Sequence, residues 1–224
     1  MTVLIPQHPE QTAGETFRVS LILDPHDGMW MAIANDLAGC YARAATENEA
    51  LSALMAAIPA FYDWLSQHDD DTPRLSGPVR LQVIGTIRLA PGDITAWLPD
   101  DSEPITDEDL DWFLALIGWA YDDLLDAARQ RSESPAREAL LDQVARAQAT
   151  FISLGTGAQP PAFTGSALDR VVAARYAAQR AYRATGHSQR EGAHETNGQK
   201  WSLRSGLRSS VFVARRAHEE LLKL

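Results

Sequence analysis

The apolar residues of this 224-residue chain change their period once, near residue 100, and that change limits the folds open to it. Before it they mostly alternate with polar residues, as strands do; after it they recur every three or four residues, as helices do. In the stretch from Phe17 to Asp24, the residues Phe17, Val19, Leu21 and Leu23 share one face, the pattern of a half-buried strand. Asp24-Pro25-His26-Asp27-Gly28 is turn chemistry, so a second strand from Met29 to Ala34 closes a hairpin. Asn35, Asp36 and Gly39 mark another turn before a short third strand, Cys40 to Ala44.

Thr46-Glu47-Asn48-Glu49 has the form of a capping box, opening a helix whose apolar face carries Ala50, Leu51, Leu54, Ile58, Phe61, Tyr62 and Leu65. Pro59 should kink or split that helix near Ile58, because proline removes one helical hydrogen bond and crowds the preceding turn. Val79, Leu81, Val83, Ile87 and Leu89 predict a fourth strand with all five on one side and a bulge at Gly85. Residues 91–104, rich in Pro and Asp, read as a linker. Four long amphipathic helices follow, the first capped by Thr106, the second after Ser-Glu-Ser-Pro at 132–135. The third runs from about Ser166 to Arg183 and the last from Trp201 to the end, with a polar loop at 186–199 between them. The expected fold class is α+β: a small β-β-β-α-β two-layer domain over residues 1–95, then an all-α four-helix bundle over residues 105–224.

The single cysteine, Cys40, excludes an internal disulfide and a Cys-based zinc site, and fits a reducing compartment. Met1 to Glu10 lacks the basic and apolar regions of a secretory signal, and charges interrupt every long apolar stretch. A cytoplasmic protein with no membrane span is therefore expected. The net charge of −10 is unevenly spread, with −16 on residues 1–164 and +6 on residues 165–224. Opposite charges so divided can recruit a partner or pair within one fold, and pairing within the fold is the expectation. Arg204, Arg208 and Arg215 lie near one face of the last helix and would meet the acidic first bundle helix; nucleic acid is not the expected partner, since interleaved aromatics are sparse.

Asp27-Gly28-Met29-Trp30, Asp36-Leu37-Ala38-Gly39-Cys40 and Thr46-Glu47-Asn48-Glu49-Ala50-Leu51, in that order and spacing, resemble the HicB-like antitoxin domain. The resemblance implies a partial RNase-H-like fold without nuclease carboxylates, used to bind a protein or to form oligomers. Such antitoxins normally continue into a DNA-binding segment, whereas here about 120 residues of helices follow. The second half is similar to a DinB-type four-helix bundle through its helix layout and Trp201-Ser202-Leu203-Arg204 at the start of the last helix. Enzymes of that type hold a divalent metal through three histidines, one on the second helix and an H-x-x-x-H pair on the last. Here the second helix has none and Ala214 precedes His218 by four, leaving His218 as the one candidate metal ligand.

Other residues have simpler readings. His187 and His194 sit in a polar loop; Asp107, Glu108, Asp109 and Asp111 lack the glycine of a calcium loop and suit a helix N-terminus. Asp122 and Asp123 point about 100° apart on a helix; Gly155-Thr156-Gly157 lacks the lysine of a phosphate loop; Cys40 carries no sign of activation; Ser202 reads as an N-cap. No complete catalytic motif stands out. The expected function is a non-enzymatic binding or interaction protein with a protein partner or self-association and no cofactor. The alternative is a DinB-like metal-dependent bundle enzyme with a degenerate site, using His218 with His187 or His194 brought in by the loop and a divalent metal as cofactor.

Overall fold

A computed structural model describes residues 14–72, 74–75, 77–90, 93, 95–196 and 198–224; Met1 to Glu10 lies outside the described residues. The chain is of mixed α+β class, with a four-stranded sheet, a two-stranded sheet and six helices among the described residues. Strands β1 (Thr16–Leu23), β2 (Trp30–Ala34) and β3 (Tyr41–Ala44) lead into helix α1 (Glu47–His68) and strand β4 (Arg80–Arg88). The sheet order is β3-β2-β1-β4, with β1 antiparallel to β2 and parallel to β4. The first turn is closed by Asp24, whose carbonyl accepts from Gly28 N at 2.9 Å; Gly28 has φ 69°, which glycine adopts without strain.

Helix α1 begins with the predicted box: Glu49 N donates to Thr46 Oγ1, and Thr46 N donates to Glu49 Oε2 at 3.1 Å. It packs Ala50, Leu54, Ile58, Phe61 and Leu65 on the sheet face made by Val19, Leu21, Ala32 and Ala34. Of the kink or split expected at Pro59, the split is absent, since α1 runs unbroken from Glu47 to His68. Proline sacrifices one backbone hydrogen bond, and the buried stripe on both sides of it holds the helix regardless.

The bulge in β4 is present and has a consequence for its faces. Val19 pairs with Val83 but Ser20 pairs with Gly85, so Ile84 is the extra residue. One inserted residue reverses the alternation. Val79 and Leu81 therefore join the core under α1, while Ile87 and Leu89 turn to the opposite face, and Val83 is 44% exposed. The single apolar side expected of this strand is thus two half-sides.

Strand β1 also departs from the half-buried pattern, because Ser20 and Ile22 are as buried as Val19 and Leu21. Their cover is the segment read as a linker. Ala96 and Leu98 pack on Ile22 and Ile33, and a 3₁₀ turn follows at Pro99–Ser102 with Asp101 buried inside it. Residues 95–104 form a strap over the second face of the sheet.

Four long helices complete the chain with a short one: α2 (Asp107–Gln130), α3 (Pro135–Thr156), α4 (Ala167–Arg183), α5 (His187–Arg190) and α6 (Leu203–Leu221). Thr106, Ser134, Ser166 and Ser202 each cap a long helix through the side-chain oxygen, as expected for Thr106 and Ser202. The polar stretch at 186–199 is not wholly a loop: α5 precedes strands β5 (Ala193–Thr196) and β6 (Gln199–Ser202), which pair as a hairpin. Its residues are mostly exposed and polar, which hides the strand period; Trp201, opposite His194, reaches the core and meets Phe151. Helices α3 and α6 approach closely at Gly155 and Gly206, where a Cβ on Gly206 would stand 2.9 Å from Gly155 Cα. One buried apolar cluster runs from Phe17 and Val19 through Leu114 and Val144 to Val211 and Leu221.

Candidate binding cleft and strand edge

Three fastenings join the sheet and α1 to the long helices. At the strap, Arg208 of α6 donates from Nη2 to Asp101 Oδ2 (2.6 Å) and to Ala96 O (2.9 Å), and from Nε to Asp101 Oδ1 (3.2 Å). Asp101 Oδ2 also accepts Leu98 N at 2.8 Å, and the two side chains are 10% and 1% exposed. Arg18 of β1 bridges Asp36 and Asp100, the Asp36 bond holding the guanidinium above its ordinary pKa.

At the end of α1, Trp64 Nε1 donates to Asp123 Oδ2 at 2.6 Å, and His68 Nε2 lies 3.2 Å from the same oxygen. The His68 ring stacks on Trp119 with centroids 5.4 Å apart, and Arg215 lies over Trp64 (4.2 Å) and Phe61 (4.8 Å). Burial lowers the Arg215 pKa, against the opposing pull of Glu219. At the edge strand β3, Tyr41 donates to Glu219 Oε2 at 2.8 Å and rests on Phe212 at 4.6 Å.

Beside the strap, the sheet and helices α3 and α6 enclose a cleft of about 260 Å³. Ile22, Met31 and Ile33 form its sheet wall, and Leu140, Val144 and Phe212 face them. Its charges are matched within the protein: Arg208 with Asp101, Arg43 with Asp27 (2.7 Å) and Asp24 (3.9 Å), and Arg216 with Glu220 (2.8 Å). The Ser209 hydroxyl, on a residue only 2% exposed, has among the described residues a single partner, Thr95 Oγ1 at 3.5 Å. That is well beyond the 2.7–2.8 Å usual between hydroxyls.

A second feature is the outer edge of β4. This strand closes the sheet, and among the described residues no strand pairs with its far side. Arg80, Gln82, Val83, Thr86 and Arg88 are exposed along it.

The sequence-predicted residues are dispersed. His218 was expected inward beside Ala214 and Leu221, but it is only half-buried, the neighbouring Ala217 takes the core position, and its ring makes no hydrogen bond among the described residues. His187 and His194 are exposed on α5 and β5. Among the described residues no three His, Cys, Asp or Glu side chains are grouped to hold a metal ion. Asp107 pairs with Arg190, Asp109 with Arg204 and Asp122 with Arg175, so the acidic segment meets the basic one within the fold, as expected. Gly155-Thr156-Gly157 is a helix end, with Gly157 at φ 72°. Cys40 is buried, and burial pushes its thiol up to about 12.

Sequence reasoning missed the polar interior of the long helices. Tyr121 donates to Gln148 Oε1 (2.7 Å), Gln148 Nε2 donates to Ser210 Oγ (2.8 Å), and Ser210 donates to Gly206 O (2.8 Å). Ser210 has one hydrogen and spends it on Gly206, so Tyr182, 2.9 Å away, donates to Ser210. All four side chains are fully buried, and burial drives the phenols of Tyr121 and Tyr182 upward in pKa. Only the mid-helix position of Gln148, amid apolar residues at helical spacing, could have signalled the network. In comparisons with known proteins, no family model, no curated protein and no solved structure matches this chain.

Proposed function

We propose that the chain is a non-enzymatic binding protein: a HicB-like β-β-β-α-β domain with a DinB-like four-helix bundle appended, acting through a protein partner or a second copy of itself. The observation that carries this reading is the outer edge of β4, nine residues long and without a pairing strand among the described residues. Such an edge presents amide and carbonyl groups that an added strand can meet, and exposed Val83 offers it an apolar contact. Leu81 packs toward α1 and Ile87 toward the strap, so the strand is in place before association, which lowers its entropic cost. The reading calls for no cofactor. The four long helices support the appended-bundle half through their packing, α2 and α3 against both α4 and α6.

Size-exclusion chromatography with light scattering tests it across a range of concentrations. The expected result is an assembly larger than the 24.6 kDa chain, reduced to monomer by Val83→Lys with unchanged circular dichroism. A monomer at every concentration that also captures no partner protein sinks the proposal.

A further inference from the structure

We infer that the cleft between the sheet and helices α3 and α6 binds a small uncharged molecule with an apolar body and one hydroxyl or carbonyl group. Four observations lead there. First, the cleft lies where the sheet meets helices α3 and α6, and at about 260 Å³ it suits a ligand smaller than a typical drug. Second, its opposed walls are apolar, Ile22, Met31 and Ile33 from the sheet against Leu140, Val144 and Phe212 from the helices. The strap covers Ile22 and Ile33 through Ala96 and Leu98, and Met31, only partly buried, packs against the same cluster.

Third, each lining guanidinium already has a carboxylate: Arg208 has Asp101, Arg43 has Asp27 and Asp24, and Arg216 has Glu220. An ionic ligand would have to compete with these internal pairs and lose its own hydration in an apolar slot. A neutral ligand meets no such cost. Fourth, Ser209 presents a buried hydroxyl whose single partner among the described residues, Thr95, is 3.5 Å away. A hydroxyl or carbonyl on the ligand could take a bond of ordinary length with either, and this polar pair orients the molecule with its apolar body toward Met31. The inference is independent of the β4 edge, which lies on the other side of β1 from β2.

The test uses 1-octanol and octanoate as probes in titration calorimetry with the full chain. Octanol is expected to bind one per chain with a dissociation constant below ~1 mM, and octanoate at least about tenfold more weakly. Ser209→Ala should weaken octanol roughly three- to tenfold by removing the polar partner. Gln143→Trp, at an exposed position on the cleft wall, should abolish binding while leaving the circular dichroism unchanged. Octanoate binding as tightly as octanol overturns the neutral assignment. Absence of saturable octanol binding, or octanol binding that neither variant alters, overturns the site. If Gln143→Trp fails to fold, Ser209→Ala, which only removes an oxygen, still decides the matter.

Discussion

Replacing Arg208 by Met leaves Asp101 in the strap with its charge and no cation, at a place 1% exposed to water. In the native chain Arg208 gives Asp101 two hydrogen bonds, at 2.6 and 3.2 Å, and a third at 2.9 Å to Ala96 O. Removing one partner of a buried pair typically costs ~3–5 kcal/mol, because the survivor is stranded. Asp101→Leu strands Arg208 instead, and also deprives Leu98 N of its acceptor, worth a further ~1–2 kcal/mol. Making both changes strands neither charge and fills the space with apolar atoms. The double variant should therefore lose less than the two single losses together, with a coupling of at least ~2 kcal/mol. Urea unfolding at neutral pH, followed by far-ultraviolet circular dichroism, measures all four proteins. Single losses that add in the double variant, or an Arg208→Met loss below ~1 kcal/mol, would refute the view of the strap as a buried fastening.

Other perturbations read different parts of the structure. Gln148→Ala removes the acceptor of Tyr121 and a donor to Ser210 at a fully buried site, and should cost ~2–4 kcal/mol in the same urea assay. Gly206→Ala places a Cβ 2.9 Å from Gly155 Cα and 3.2 Å from Phe151 O, both backbone atoms unable to swing away; an overpacking cost of ~1–3 kcal/mol is expected to lower the melting temperature by ~2–12 °C. At alkaline pH, Cys40, Tyr121 and Tyr182 all keep their protons in the folded chain beyond the ordinary 9.0 for Cys and 10.0 for Tyr, chiefly because they are buried. The unfolded chain releases them first, so stability is complete below about pH 9 and falls above it, by ~1.4 kcal/mol per pH unit for each group in its window. Urea midpoints that do not move between pH 9 and pH 11 would contradict this. Ellman's reagent at pH 8 should leave native Cys40 unmodified and react with it in denaturant.

How far the fold was legible depended on whether a local rule decided each element. Thr46 with Glu49, and Thr106 with Asp109, announce helix starts because a cap is satisfied within four residues. Gly85 marked the bulge for a similar reason, yet its effect on Ile87 and Leu89 was lost, because the pairing of Ser20 with Gly85 is a property of two strands and not of one. The split allowed at Pro59 and the linker read at residues 91–104 failed in opposite directions. Packing by Ile58 and Phe61 overrode a local helix breaker, and Ala96, Leu98 and Asp101 found burial that a composition rich in Pro and Asp does not advertise. The cleft was invisible for the same cause, since its walls come from residues 22–33, 140–144 and 212, which no window of sequence contains together.

The arginines of α6 show how such long-range pairing changes a functional reading. Spaced along one helix, Arg204, Arg208 and Arg215 could be taken for a phosphate-binding row. In the fold each has a different occupation: Arg204 reaches Asp109 and the carbonyls of Glu103 and Pro104, Arg208 the buried Asp101, and Arg215 the rings of Phe61 and Trp64. A guanidinium so engaged must break an internal bond before it can meet a phosphate, and for Arg208 that means exposing Asp101 uncompensated. The row is thus the inner seam along which α6 holds the strap and α1. The same seam borders the cleft, because Arg208, Ser209 and Phe212 all line it, together with Thr95 of the strap. Docking by arginine and binding by apolar surface are consecutive stretches of one helix, so loosening the first at Arg208 should open the second.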